Sequence, residues 1–202
     1  MKKFAAALSL AVVAGAAGAS GITFQTGAGF ESGLADSAAY QSAVTSFVGA
    51  PVVLSSFDNV NFSLSNSALE ATITFYVSTP TAFDFRAGVD FGGGGTMVLD
   101  GTALDTHANN MWWAGSYSDP SQYFAGAATL GAGAHTLSLY GFEDCCSGSM
   151  QAQYSLDGGR TYTSFSSTDA LPAVPETQSY AMLLAGLALV ATVARRRAGK
   201  QA

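Results

Sequence analysis

The sequence predicts an all-β protein, an antiparallel β-sandwich or jelly roll with an N-terminal signal helix and a C-terminal single transmembrane helix. From Ser55 onward, apolar and polar residues alternate with the period of two that half-buried strands require. Glycine-rich turns interrupt this alternation at short intervals, as they do between antiparallel strands. The third observation is an uncharged apolar run beside basic residues at each end of the 202-residue chain.

The first 19 residues, MKKFAAALSLAVVAGAAGA, place two lysines before an apolar stretch and then small residues. This order is typical of a secretory signal peptide, and Ala17 and Ala19 fit the small-x-small cleavage rule. We therefore expect a mature chain that begins near Ser20 and folds in an oxidising compartment. An uncleaved amphipathic or membrane anchor is the alternative, but the run is short for one.

The middle of the chain is strongly anionic. Thirteen of its 14 acidic residues lie between Glu31 and Asp169, where Arg86 and Arg160 are the only arginines or lysines. A surface of this charge repels phosphate backbones. The composition therefore excludes nucleic acid as a partner.

Residues 20–54 are predicted to be an N-terminal segment with one short helix. Asp36 is a suitable N-cap, and Tyr40, Val44 and Phe47 fall on one helical face. The sandwich domain is then predicted over residues 55–168.

Three rows of inward-facing side chains open the predicted sandwich, and Pro80 ends the second of them. The rows are Val60, Phe62 and Leu64, then Leu69, Ala71, Ile73, Phe75 and Val77, and then Phe83, Phe85, Ala87 and Val89. The four glycines at 92–95 lack the GK[ST] of a phosphate loop, so they favour a bulge or a close backbone crossing.

Three turns predict hairpins. Asp100-Gly101 is a strong two-residue turn. Gly131-Ala132-Gly133 separates strands predicted at 123–129 and 135–140, and Asp157-Gly158-Gly159-Arg160 separates strands predicted at 151–156 and 161–165. Seven or eight short strands of this kind indicate a sandwich or jelly roll.

The only two cysteines, Cys145 and Cys146, are adjacent, so they cannot join distant strands. Three states are open: a vicinal disulfide in a tight turn, free or intermolecular thiols, and a metal site. The spacing favours the disulfide over zinc, because zinc sites use CxxC-like spacing and no matching histidine pair is evident.

Trp112, Trp113 and Tyr117 are candidate glycan contacts, because exposed aromatic faces stack on the apolar faces of sugars. Neighbouring strand residues point to opposite sides, so one indole is expected to face inward and the other outward. Packing in the core or at its rim is the alternative for these rings.

We find no catalytic constellation and no cofactor motif, and expect neither an enzyme nor a metal centre. His107 and His135 have ordinary explanations as surface or hydrogen-bonded residues. Glu143 and Asp144 are sequence neighbours that could point to opposite faces, unlike the spaced carboxylates of a glycosidase.

The C-terminal part consists of a linker at 169–179, an uncharged run at 180–194 and a basic end at 195–202. As a helix, the run of 15 residues spans about 22 Å, which is short of the ~30 Å hydrocarbon core, so it is a marginal membrane span. The three arginines that follow should remain on the cytoplasmic side.

This order resembles the PEP-CTERM sorting signal of Gram-negative bacteria, whose Pro-Glu-Pro motif precedes a short apolar helix and a basic end. Here the motif is Val174, Pro175, Glu176 and Thr177, with Thr177 in place of the second proline, and the basic end is Arg195, Arg196 and Arg197. The resemblance implies a transient inner-membrane anchor that an exosortase processes near the motif. The protein would then be delivered to the cell surface or the extracellular space.

The segments FDFRAGVDFGGGGTMVLDG, MWWAGSYSDP and LGAGAHTLSLYGFEDCCSG resemble the CCxG group of PEP-CTERM proteins. Residues 55–165 are also distantly similar to the protective-antigen-like β-sandwiches of adhesins. Adhesins of that type bind glycans, often through calcium held by paired aspartates in the loop that is Val89-Asp90-Phe91 here. Only Asp90 matches the pair, and the second carboxylate ligand is missing, so we do not expect calcium-dependent glycan binding here.

Two functions follow as expectations. The first is an exported surface or extracellular-matrix protein that is sorted by its tail and associated with exopolysaccharide or biofilm. The second is a discrete carbohydrate-binding module that uses the exposed tryptophans.

Overall fold

The computed structural model describes residues 20–61, 65–146 and 148–169. The predicted signal peptide, the Pro-Glu motif, the apolar run at 180–194 and the three C-terminal arginines lie outside the described residues. Among the residues that are described, no helix is both long and apolar enough to cross a membrane.

The described part of the chain contains thirteen strands, one α-helix and a 3₁₀ helix at Pro120–Gln122. In chain order they are β1 (Gly21–Ala28), α1 (Ser37–Phe47), β2 (Val52–Leu54), β3 (Val60–Asn61), β4 (Ser67–Val77), β5 (Thr81–Gly88), β6 (Asp90–Phe91), β7 (Gly95–Leu99), β8 (Thr102–His107), β9 (Met111–Trp112), β10 (Tyr123–Leu130), β11 (Gly133–Glu143), β12 (Ser149–Ser155) and β13 (Thr163–Ser164).

Two antiparallel sheets pack face to face and confirm the predicted all-β sandwich. The larger sheet has the order β2-β1-β4-β11-β7-β8. The second sheet has the order β10-β5-β12-β13, and β3 also pairs with β12. A two-stranded ribbon of β6 and β9 lies apart from both sheets and carries part of the candidate site.

Period-two alternation places the core between the sheets. In β4, Leu69, Ile73 and Phe75 are buried while Thr74 and Tyr76 are exposed. The inward side chains of β5 face them, and Phe75 contacts the rings of both Phe83 and Phe85 in that strand. Burial of these large apolar side chains is the main source of stability in such a sandwich.

The predicted helix is confirmed as α1, which packs on the outer face of the larger sheet. The Asp36 carboxylate accepts a hydrogen bond from the Ala39 N–H at 2.9 Å, as an N-cap should. Tyr40 and Val44 are buried against Phe142 of β11 in a second, smaller apolar cluster. The helix therefore covers the outward side of β11.

Two of the three predicted hairpins are confirmed. Asp100 and Gly101 have φ values of +49° and +80° and join the paired strands β7 and β8. Strands β12 and β13 pair on either side of the Asp157 turn. The hairpin predicted around Gly131 is wrong, because β10 pairs with β5 in one sheet while β11 pairs with β4 and β7 in the other.

The N-terminal segment contributes to the sandwich, which therefore extends beyond the predicted boundary at residue 55. Strand β1 pairs along its whole length with β4, inside the larger sheet. Its outer neighbour β2 covers only Val52–Leu54 and forms an edge of that sheet.

The four consecutive glycines at 92–95 pass close to neighbouring backbone, which is one of the two arrangements predicted for them. A Cβ atom at Gly93 would lie 2.2 Å from the carbonyl oxygen of Glu31. The Gly93 N–H donates to the Phe142 carbonyl at 2.8 Å, and the Phe142 N–H donates to the Gly94 carbonyl at 3.2 Å. These bonds hold the glycine segment against the end of β11, beside the candidate site.

Candidate functional site

A cavity of about 290 Å³ opens where the β6–β9 ribbon meets the carboxyl end of β11. Three segments that are distant in sequence supply its walls. Its lining residues are Asp90, Gly92, Asn110, Trp112, Glu143, Asp144, Cys145 and Cys146.

The two tryptophans point in opposite directions, as the strand pattern predicts. Trp112 lines the cavity and is 63% exposed, whereas Trp113 is only 3% exposed. Trp112 lies opposite Asp90 in the ribbon. Trp113 packs onto the backbone of Gly88, where a Cβ atom would lie 2.1 Å from the indole. Trp112 is therefore the available aromatic surface, and Trp113 is a buried packing residue.

Hydrogen bonds hold the segment that presents Trp112. The Trp112 N–H donates to the Gln122 side chain at 2.6 Å, and the Asn109 amide donates to the Ser121 carbonyl at 3.2 Å. On the other side, the Trp113 N–H donates to the Val89 carbonyl at 3.0 Å. The exposed indole thus stands on a backbone that is fixed on both sides.

Tyr117 does not line the cavity, which differs from its predicted role as a glycan contact. The Arg86 guanidinium lies 3.7 Å from the centre of the Tyr117 ring and equally close to the Tyr162 ring. The Tyr117 hydroxyl donates to Gln151 at 3.1 Å, and burial raises the pKa of this phenol. Tyr117 therefore packs between Trp113 and the residues Arg86 and Gln151 of the second sheet.

Glu143 is the most unusual side chain of the cavity. It is 2% exposed, and neither carboxylate oxygen has a hydrogen-bond partner in the described part of the chain. Burial, followed by the charges of Asp90 and Asp144, raises the pKa of Glu143 to about 8, although the Cys145 backbone amide opposes this shift. The carboxyl group is therefore largely protonated at neutral pH when no ligand is bound.

Asp90 lines the same cavity as Glu143 and is also buried, with 7% of its surface exposed. Burial raises its pKa, the Gly148 amide lowers it, and the Asp144 charge raises it further. A Cβ atom at Gly148 would lie 2.4 Å from an oxygen of Asp90. Glycine is therefore needed at position 148 for the chain to pass this carboxylate.

Cys145 and Cys146 are joined by a disulfide, with their Cα atoms 3.8 Å apart. This is the vicinal pairing, one of the three states that the sequence left open. Both residues are exposed and line the cavity. The preceding turn is anchored by the Asp144 carbonyl, which accepts from the Asn66 N–H and the Ser65 hydroxyl, both at 3.0 Å. The disulfide thus forms a fixed part of the cavity wall.

The residues around Asp90 do not fit the paired-aspartate calcium loop. Its neighbours Val89 and Phe91 are apolar and buried in the core. Among the described residues, no group of three or more acidic, histidine or cysteine side chains is placed to hold a metal ion.

The two histidines lie in hydrogen-bonded pairs outside the cavity. His135 contacts Asp100 at 2.7 Å, and His107 contacts Asp105 at 3.2 Å. These contacts agree with the ordinary roles expected for both.

Sequence reasoning found Trp112 and the cysteines, but it did not identify Glu143 as a site residue. The signal was present in the parity of β11, where Glu143 is an even number of residues from Leu137 and Leu139. Both leucines are buried in the core, so the same parity directs Glu143 inward. Asn110 carries no comparable signal, because the path of its loop brings it to the cavity.

Comparison with known family models gives no match, and comparison with curated protein sequences gives none. Among solved structures, the chain is similar to the PA14 sugar-binding domain from an RTX adhesin, with a TM-score of 0.52 and 14% identity over 74% of this chain and 96% of that one. It is also similar to the PA14 domain of the MpAFP antifreeze protein, with a TM-score of 0.52 and 13% identity over 76% and 94% of the two chains. At these identities the likeness establishes a shared fold.

Proposed function

We propose that this protein is an exported surface protein whose sandwich binds carbohydrate in the Trp112 cavity. The observation that carries the proposal is the exposed Trp112 indole at a cavity lined by carboxylates and Asn110. Two structures of similar fold are PA14 domains, one of them a sugar-binding domain of an adhesin, which supports the same function here.

The chemistry of the cavity suits a sugar ring. An indole offers a broad apolar face, against which the C–H groups of a pyranose can pack. Carboxylate oxygens can accept hydrogen bonds from hydroxyl groups around the ring, and the Asn110 amide can both donate to them and accept from them. Sites for small ligands commonly combine an aromatic surface with a few placed polar groups.

The exposed indole can be tested with a matched pair of variants. Trp112→Ala should weaken glycan binding by about tenfold or more, because it removes the stacking surface. Tyr76→Ala removes another exposed aromatic ring, near the opposite end of β4 and β11, and should leave binding unchanged. Binding is measured on a glycan array and by polysaccharide pull-down. The proposal fails if the intact protein binds no glycan, or if Trp112→Ala binds as well as the parent.

We also propose that the tail sorts the protein. The motif at Val174, Pro175, Glu176 and Thr177 marks the processing region, and residues 180–194 anchor the precursor in the inner membrane until an exosortase acts. The processed protein then joins an exopolysaccharide-rich surface layer or biofilm. The support is the order of Pro-Glu motif, short apolar run and arginine cluster in the sequence.

Deletion of residues 180–197 should release soluble protein into the periplasm, because it removes both the apolar run and the arginines. Cell fractionation with antibody detection measures this outcome, and mass spectrometry of the mature C-terminus locates the processing bond. Surface delivery that is unchanged by the deletion would contradict the sorting proposal.

A further inference from the structure

The cavity combines three carboxylates with no basic side chain. Among the described residues, Arg86 and Arg160 are the only arginines or lysines, and neither lines it. Arg86 is held between two tyrosine rings. The negative charge of Asp90 and Asp144, and the charge that Glu143 acquires when it loses its proton, is therefore not compensated by any basic side chain of the described chain.

The unsatisfied groups show where compensation is missing. Both oxygens of Glu143 are buried and accept no well-formed hydrogen bond within the described part of the chain, where the Cys145 backbone amide is the one donor close enough to lower the pKa of this carboxyl. A buried carboxylate without donors is costly when charged, and a native structure normally supplies partners to such a group. A ligand that brings a positive charge and several N–H donors would provide what the protein does not.

A neutral sugar would leave this charge uncompensated, and a uronic acid would be repelled by it. A primary ammonium group carries one positive charge and three donors in a compact volume. The exposed face of Trp112 adds a favourable cation–π contact for a cation bound beside it.

We propose that the cavity selects amine-bearing saccharides, with the ammonium group at Asp90, Glu143 and Asp144 and the adjoining sugar face on Trp112. This proposal rests on the proposed glycan-binding function. The volume of about 290 Å³ is near the lower end of ligand cavities, which suits the end of a glycan or one amino-sugar residue.

A matched pair of oligosaccharides tests the selection. Isothermal titration calorimetry on the full-length protein measures binding of a fully deacetylated glucosamine tetramer and of its N-acetylated counterpart. The buffer contains EDTA at pH 6.5, about one unit below the pKa of an ordinary α-amino group. We expect the amine form to bind about tenfold more tightly or better. Added salt should weaken this preference only modestly, since pairs with the buried carboxylates of Asp90 and Glu143 are screened less than exposed pairs.

Two variants separate the cavity from general charge attraction. Glu143→Gln should remove most of the preference for the amine, because an amide cannot pair with an ammonium group as a carboxylate does. Asp157→Asn removes a charge from a loop that does not contribute to the cavity, and the preference should persist. Asp144→Asn, at a half-buried position of the same cavity, gives a second test if Glu143→Gln folds poorly.

The outcomes distinguish this inference from the function on which it rests. Equal binding of both tetramers, or neutral-glycan binding that appears only with added calcium, would overturn the amine preference and leave glycan binding intact. Loss of the preference in Asp157→Asn as well as Glu143→Gln would assign it to general charge and would also overturn it. Absence of binding to any glycan would end both proposals.

Discussion

Glu143 and Asp157 are acidic residues of one small domain whose surroundings shift their pKa values in opposite directions. Asp157 lies in the β12–β13 turn, where its carboxylate accepts from the Thr161 hydroxyl at 2.6 Å, the Ser155 hydroxyl at 2.8 Å, and the Arg160 and Thr161 amides at 3.0 Å each. These bonds, led by those from Thr161, lower the pKa of Asp157 to about 2. Glu143 accepts no well-formed hydrogen bond within the described chain, and burial raises its pKa to about 8 against the weaker opposing effect of the Cys145 amide.

The difference teaches how to separate a structural carboxylate from a candidate binding carboxylate. A second cavity of about 220 Å³ lies beside Asp157, but the donors of its own turn already occupy that carboxylate. The cavity beside Glu143 leaves that acid without a well-formed hydrogen bond from the described residues. A stable domain tolerates such a group more readily where a ligand can satisfy it, since function often retains local features that cost stability.

The largest effect is expected from Glu143→Gln on the pH dependence of stability. A folded-state pKa raised from 4.5 to about 8 means that the stabilising protonated form is fully present below about pH 4.5 and is lost as the pH rises through 8. The variant lacks this loss, so it should become more stable than the parent by on the order of 3 kcal/mol near pH 9 and differ little near pH 4.

Urea unfolding of both proteins between about pH 4 and pH 9 measures this divergence, because that range brackets the unfolded and folded pKa values of Glu143. Parallel stability profiles would show that Glu143 titrates like an ordinary exposed acid. The contrast with Asp157 would then disappear.

A smaller effect of opposite sign is expected from Asp157→Asn. Because the pKa of Asp157 is lowered, its charged form stabilises the turn above the ordinary value of 3.8, and this stability is lost as the pH falls through about 2. The variant should have a slightly lower Tm at neutral pH, with the difference closing in strong acid. Differential scanning calorimetry measures the Tm, and hydrogen exchange at Arg160 and Thr161 reports the local loosening. Unchanged exchange there would contradict a structural role for the carboxylate.

The smallest effect on stability is expected from reduction of the Cys145–Cys146 disulfide. Cross-linking adjacent residues removes little freedom from the unfolded chain, so reduction should cost on the order of 1 kcal/mol or less. Intact-mass measurement with and without reductant should show a gain of two hydrogens, and thermal unfolding should give nearly the same Tm. No mass change would exclude the disulfide, and a large fall in Tm would show that it stabilises more than its own turn.

Local sequence determined the parts of this fold that depend on residues a few positions apart. Alternation in β4 and β5 placed the buried phenylalanines, Asp36 set the start of α1, and Asp100-Gly101 set the β7–β8 turn. The opposite directions of Trp112 and Trp113 follow from the same period of two.

Only the tertiary structure decided which strands are neighbours and which side chains share the cavity. The turn at Gly131 could have joined paired strands, but β10 pairs with β5 in one sheet and β11 pairs with β4 in the other. Asp90, Trp112 and Glu143 come from three segments, and their approach depends on long-range pairing and on burial rather than on local spacing. The missing donors of Glu143 are likewise a property of everything packed around it, which is why the sequence alone did not reveal them.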